Sequence, residues 1–157
     1  MDSSELMQLY QDVIVDHNRS PRNFRRIEPC EAAAGCQHAD GFNPLCGDKL
    51  QLFVQVADGR IADIAFEGSG CAISVASASL MTDAVRGREE TGARALMATM
   101  QSLLTGQRAV DDALMDEVGK LTALAGVAAF PMRVKCATLC WHTLEAALDG
   151  RGQSTTE

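Results

Sequence analysis

The chain has 157 residues, 46% of them hydrophobic and 22% charged, with a formal net charge of −7. That length suits one domain with a real core, and the arginines and lysines are scattered without a basic run, which excludes a nucleic-acid groove. No positive segment precedes an apolar one at the start, and the most apolar stretch, Leu121 to Phe130, is too short to cross a bilayer. The expected location is therefore the cytoplasm, with no membrane partner. There, six cysteines point to metal ligands, reactive thiols or buried small hydrophobes rather than disulfides.

Residues 2–17 carry a helical stripe of Leu6, Leu9, Tyr10, Val13 and Ile14. Asp2 is placed to cap the first turn, with Glu5 as its reciprocal partner, and Pro21 follows as the stop. Residues 27–47 read as irregular, with one strand placed near EPCEAAAGC. Leu50, Leu52, Val54 and Val56 alternate with Lys49, Gln51, Phe53 and Gln55, a half-buried strand. Asp58-Gly59 predicts a two-residue hairpin turn, and IADIAFEG the return strand.

From there the pattern is helical. One helix is expected to end at Gly87 and another at Gly106, each glycine in a C′ position. The second presents Ala93, Leu96, Met97, Met100, Leu103 and Leu104 on one face. DDALMDEVGKLTALAG predicts one or two more helices. Pro131 is placed at N1 of a last helix reaching about Asp149, and RGQSTTE is a polar tail. Strands first and helices after give an α+β class, one domain over residues 1–150 with a tail over 151–157.

The cysteines are the residues with chemistry to offer. Cys46-Gly47-Asp48 places a thiol and a carboxylate two apart before a strand, yet alone it reads more readily as a turn with an incidental core cysteine. Cys71 falls at a helix start, where exposed N–H groups and the macrodipole favour thiolate; a small buried residue among alanines and serines is the other reading. Cys136 lies early in the last helix with Arg133 three residues before it, on the same face, as a possible thiolate stabiliser. Cys140 belongs to an apolar stripe and reads as core, with an auxiliary thiol role left open. Cys30 and Cys36 read as buried small residues. His17 ends the first helix, where a charge or a donor to its last carbonyls is favourable. None of His17, His38 and His142 has a partner at H-x₃-H spacing, which excludes a zinc finger and an H-E-x-x-H protease. Walker A, dinucleotide and G-x-S-x-G motifs are also lacking.

Four segments taken together, YQDVIVDHNRSPRNF, NPLCGDKL, EGSGCAIS and RVKCATLCW, resemble the U-type iron–sulfur assembly proteins. That family comprises the scaffolds of the IscU and NifU N-terminal type and the zinc-dependent sulfurtransferases of the SufU type. The resemblance runs in order along nearly the whole chain. It implies a SufE/NifU-like fold, a small antiparallel sheet of about three strands packed against helices. It also implies metal ligands at Cys46, Asp48, Cys71 and Cys136, with Gly47 removing a side chain that would crowd them. Three thiolates and a carboxylate satisfy four-coordinate Zn²⁺, and Arg133 and the helix start at Cys71 would offset the excess negative charge.

Three features resemble the SufU branch. Lys135 stands where the scaffold branch has a histidine, and its ammonium has no lone pair for a metal. AFPMRVKC departs from the scaffold branch's Leu-Pro-Pro-Val-Lys motif. The stretch between Cys71 and Cys136 is long, with an additional helical segment around residues 88–106. Cys140 falls where the family is expected to carry a non-thiol residue. The implied activity is sulfur transfer: Cys46 accepts persulfide sulfur from a SufS-type, pyridoxal-phosphate-dependent cysteine desulfurase and passes it towards a SUF scaffold complex. The rival is a scaffold for a [2Fe–2S] cluster on the same ligands, and a purely structural zinc domain is the third reading.

Overall fold

The computed structural model describes residues 3–156, so the expected cap at Asp2 lies outside the described residues. Helix α1 (Ser3–Arg19) packs on helix α2, with Leu6, Tyr10, Val13 and Ile14 half-buried along its stripe and His17 buried at its end. Leu9, expected on that stripe, is 46% exposed. His17 takes its place because Nδ1 meets Ser79 Oγ of α2 at 2.7 Å, not the carbonyls of its own helix.

The strands are β1 (Cys36–Asn43), β2 (Asp48–Ala57) and β3 (Arg60–Ser69). The hairpin between β2 and β3 turns through Asp58 and Gly59, both at positive φ, as the sequence predicts. Strand β1 is a correction, since its residues read as irregular. CQHADGFN has no β-branched residue and little bulk. Its inner face is Ala39, Gly41 and Asn43, with His38, Asp40 and Phe42 exposed opposite. The inner face is small because the last helix lies close: a Cβ at Gly41 would collide with Thr143 Oγ1. The strand placed near EPCEAAAGC is instead a short 3₁₀ turn, Ala32–Ala34.

Helix α2 (Ala72–Val85) runs through the middle. Its small residues let α1 and the last helix approach: Ser77 Oγ donates to Ala137 O at 2.7 Å. Then follow α3 (Glu90–Leu104), α4 (Asp112–Val118), a 3₁₀ segment (Gly119–Ala129) and α5 (Pro131–Leu148). All six apolar residues expected on one face of α3 are buried, and Pro131 opens α5. Strand β4 (Gln153–Thr155) lies within the expected polar tail and pairs parallel with β1. The sheet is therefore mixed and four-stranded, in the order β3-β2-β1-β4. The tail cannot show this in sequence, because three residues at an edge have no period to read.

The core joins the inner sheet face to α2, α3 and α5 through Leu52, Phe66, Met81, Met100, Leu139 and Leu144, among others. Burial of each such side chain contributes about 1.5–3 kcal/mol. No helix among the described residues is long and apolar enough to cross a membrane.

Candidate metal centre

The turn between β1 and β2 is built by Asn43. Its Oδ1 accepts from Leu45 N at 3.2 Å, and its main-chain carbonyl accepts from Gly47 N at 2.8 Å. Gly47 closes the turn at φ +72°, where a side chain is strained. A Cβ there would have nothing within 4 Å. Gly47 is thus required by the backbone, not by crowding as the resemblance suggested. The turn leaves Cys46 exposed and returns the chain to Asp48, which is 0% exposed.

Asp48 is held from two sides. Cys71 N donates to its Oδ1 at 2.9 Å, and Asn43 Nδ2 to its Oδ2 at 3.1 Å. The first bond brings the start of α2 onto the turn, with Cys71 as the N-cap residue. It depends on Gly70, whose Cβ would collide with Asp48 Oδ1. From the other side α5 delivers Cys136. Its Sγ lies 3.5 Å from Cys46 Sγ and accepts from Asn43 Nδ2 at 3.6 Å.

One donor atom each from Cys46, Asp48 and Cys136 lies within 4.8 Å of the others. Sulfurs bound to one tetrahedral zinc at about 2.3 Å would sit about 3.8 Å apart, so the 3.5 Å between the two thiols fits a shared ion. The Cys71 thiol also acts on Cys136, though it is outside the tight trio. Burial first, then hydrogen bonding with Asp48, Cys46 and Cys71, pushes the Cys136 thiol far above its ordinary range. A divalent cation among these donors reverses that penalty, since a coordinating thiol is deprotonated outright. The donor set of thiols and one buried carboxylate suits zinc.

Arg133 does not join this cluster. Its guanidinium lies over the Phe130 ring, 4.8 Å from the centroid, because an exposed cation one turn before Cys136 finds an aromatic face more readily than a buried thiol. Cys140 faces the core beside Ser77 Oγ, at 3.4 Å, and burial pushes it up to about 12. That suits the core reading. Cys30 and Cys36, expected to be separate buried residues, are joined in a disulfide. Spacing alone could not show this, because a folded turn between them brings their Cα atoms to 5.1 Å. Asn43 is the residue that sequence reasoning missed. Its signal was Asn-Pro before the cysteine, a turn-initiating pair whose side chain bonds the backbone two residues on.

Residues 9–148 match the NifU-like N-terminal domain. The iron–sulfur cluster assembly scaffold protein IscU of Streptococcus pyogenes serotype M1 is 40% identical over 148 residues, covering 94% of this chain and 87% of that protein. The zinc-dependent sulfurtransferase SufU of Bacillus subtilis (strain 168) is 37% identical over 143 residues, covering 91% of each. Among solved structures, a candidate iron–sulfur cluster assembly scaffold protein for the SUF system from Fervidobacterium islandicum AW-1 superposes with a TM-score of 0.78 at 31% identity. That match covers 90% of this chain and 97% of the other.

Proposed function

The chain belongs to the NifU-like N-terminal domain family, and from the chemistry of its thiol cluster we propose that it is a zinc-dependent sulfur carrier. In this reading it accepts persulfide sulfur from a SufS-type cysteine desulfurase in the cytoplasm and hands it to a SUF scaffold complex. The observation that carries the proposal is an asymmetry of burial. Asp48 and Cys136 are fixed inside the protein, while Cys46 stands on an exposed turn. Two donors hold, and of the two exposed thiols, Cys46 and Cys71, Cys46 is the one that belongs to the tight trio and can reach a partner.

Zinc bound by Cys46, Asp48, Cys136 and Cys71 would supply the positive charge that keeps the thiols as thiolates. Cys46 then does the chemistry. Its thiolate attacks the terminal sulfur of the desulfurase persulfide; a new S–S bond forms at Cys46, the donor S–S bond breaks, and the electron pair leaves on the desulfurase cysteine. Asp48 keeps its position during this exchange through the Cys71 N–H and Asn43. Leu45, next to Cys46, and Phe130 and Met132, at the start of the helix carrying Cys136, are exposed apolar side chains suited to docking a protein partner. Lys135 in place of a histidine, and α3 between Cys71 and Cys136, support the zinc reading.

The second reading is a scaffold on which a [2Fe–2S] cluster is assembled. It is favoured by the thiol-rich donor set and by the scaffold name of the Streptococcus relative. One experiment separates the two. The protein is isolated, its zinc, iron and sulfide are measured, and it is incubated with a cysteine desulfurase and cysteine before peptide mass spectrometry. Zinc near one per chain with added sulfur on Cys46 is expected. Stoichiometric iron and sulfide without zinc would favour the scaffold. Sulfur on another cysteine, with Cys46→Ser still active, would overturn the role of Cys46.

A further inference from the structure

A second place in the molecule carries sulfur chemistry that the metal cluster does not use. The Cys30–Cys36 disulfide sits at the start of β1, and Asn43 at the end, seven residues on. At about 3.3 Å per residue, roughly 23 Å separate them. The two sulfurs are unequal: Cys36 is buried at 2% exposure, whereas Cys30 is half-buried. Cys30 opens on a shallow, open cleft of about 430 Å³ lined also by Arg26, Glu28, Pro29, His38 and Phe53. The polar side chains of this cleft are arranged: His38 stacks on Phe53 at 5.0 Å and its Nε2 meets Asp40 at 3.1 Å, and Arg26 lies over the Phe53 ring, 5.3 Å from its centroid, and pairs with Glu28 at 2.9 Å.

The bond is not what holds its loop. Ala34 N donates to Glu31 O, Cys36 N to Glu31 O, and Val56 N to Gly35 O, at 2.9, 3.0 and 2.9 Å. Gln55 Nε2 adds a bond to Ala34 O at 2.6 Å. The closed loop is short, with a sequence separation of 6, and short loops gain least from a cross-link. Opening the bond therefore leaves the turn and the start of β1 in place.

We propose that Cys30–Cys36 is a thiol–disulfide exchange site that takes low-molecular-weight thiols through this cleft, with Cys30 as the attacked sulfur. An incoming thiolate bonds to Cys30 Sγ and the Cys30–Cys36 bond breaks. The electron pair leaves on Cys36 Sγ, which takes a proton from water. A second thiolate attacks the small-molecule sulfur of the mixed disulfide, releasing a symmetrical disulfide and the Cys30 thiolate, which is then protonated. Two thiols are oxidised and the protein disulfide is reduced. Arg26, paired with Glu28 at 2.9 Å and with Glu67 at 3.4 Å, and His38, paired with Asp40, line the cleft by which the thiol reaches Cys30.

The test uses the full zinc-loaded chain and glutathione as the probe, and reads peptides rather than sulfur transfer, so it stands apart from the role of Cys46. Wild-type protein in reduced glutathione, quenched with iodoacetamide, should expose Cys30 to alkylation under native conditions, with the buried Cys36 and Cys140 still protected. In oxidised glutathione, Cys36→Ser should gain one glutathione on Cys30. Cys30→Ser should gain on the order of tenfold less on Cys36. Circular dichroism and zinc content confirm that each variant is folded. Wild-type Cys30 that is alkylated only in denaturant, or equal labelling of the two single variants, would overturn the proposal.

Discussion

Replacing Asn43 with alanine tests whether the cluster is organised by its neighbours or by its ligands alone. Asn43 is 0% exposed and binds none of the ligand positions covalently, yet its side chain serves three groups. Nδ2 donates to Asp48 Oδ2 and to Cys136 Sγ, and Oδ1 accepts from Leu45 N. A hydrogen bond to a buried carboxylate contributes about 1.5–3 kcal/mol, and an orphaned partly buried N–H costs about 1 kcal/mol more. Asn43→Ala should therefore lose about 2.5–4 kcal/mol of stability without metal. At about 2–4 °C per kcal/mol for a chain of this size, that is a fall of roughly 5–15 °C in Tm. Loss of an outer partner commonly weakens metal binding 10–100-fold, about 1.4–2.7 kcal/mol. Zinc affinity is read by competition with a chromophoric chelator, and Tm is measured with and without EDTA. The expected result is a drop in both, with a smaller EDTA effect than in the wild type. Zinc affinity within about twofold of wild type, alongside the lower Tm, would reduce Asn43 to a core hydrogen bonder and refute the argument.

Three further outcomes follow from the same geometry. Gly70→Ala pushes a Cβ against Asp48 Oδ1 and should weaken zinc binding. Gly47→Ala meets open space at φ +72° and should cost about 1–2 kcal/mol of stability with zinc binding kept; chelator competition and urea melts compare the two, and equal zinc loss in both would contradict this account. Cys71→Ser and Cys136→Ser should each lower zinc content and Tm together, with the larger metal-free loss at the buried Cys136; full zinc in either variant removes that residue from the ligand set. Burial first, and then Arg22, lowers the His17 pKa, against the opposing pull of Asp16 and Asp83 and with a small lowering by Lys120. The unfolded chain then binds the proton more readily, so stability is full above about pH 6.5 and falls as pH drops through the lower folded value. Urea midpoints across this range should flatten in His17→Gln, and an unchanged slope would assign the acid sensitivity elsewhere.

Much of this fold was legible because its signals are periodic. The alternation in β2, the Asp58-Gly59 turn, the apolar face of α3 and Pro131 at the head of α5 each follow from local chemistry. Strand β1 was hidden because close packing against α5 selects Ala39 and Gly41, residues without strand propensity. Strand β4 exists only by pairing with β1. The approach of Cys46, Asp48 and Cys136 was suggested by motif resemblance. Its supports were not: Asn43 and Gly70 act through contacts across the fold, and Arg133, placed by helical spacing on the face of Cys136, turns to Phe130 instead.

The seam between β1 and α5 has a consequence for how such a centre could be tuned. The last helix presses on Gly41 through Thr143 and Leu139, and the same two elements carry Asn43 and Cys136. The gap between strand and helix thus works as a calibrated spacer for the thiol pair. A metal tolerates errors of only about 0.2 Å in its bond lengths, less than the shift a single added methyl group would impose on that seam. Selection for one ion over another, or for tighter over looser retention, could act on Gly41 and Thr143 while leaving every donor atom in the sequence unchanged.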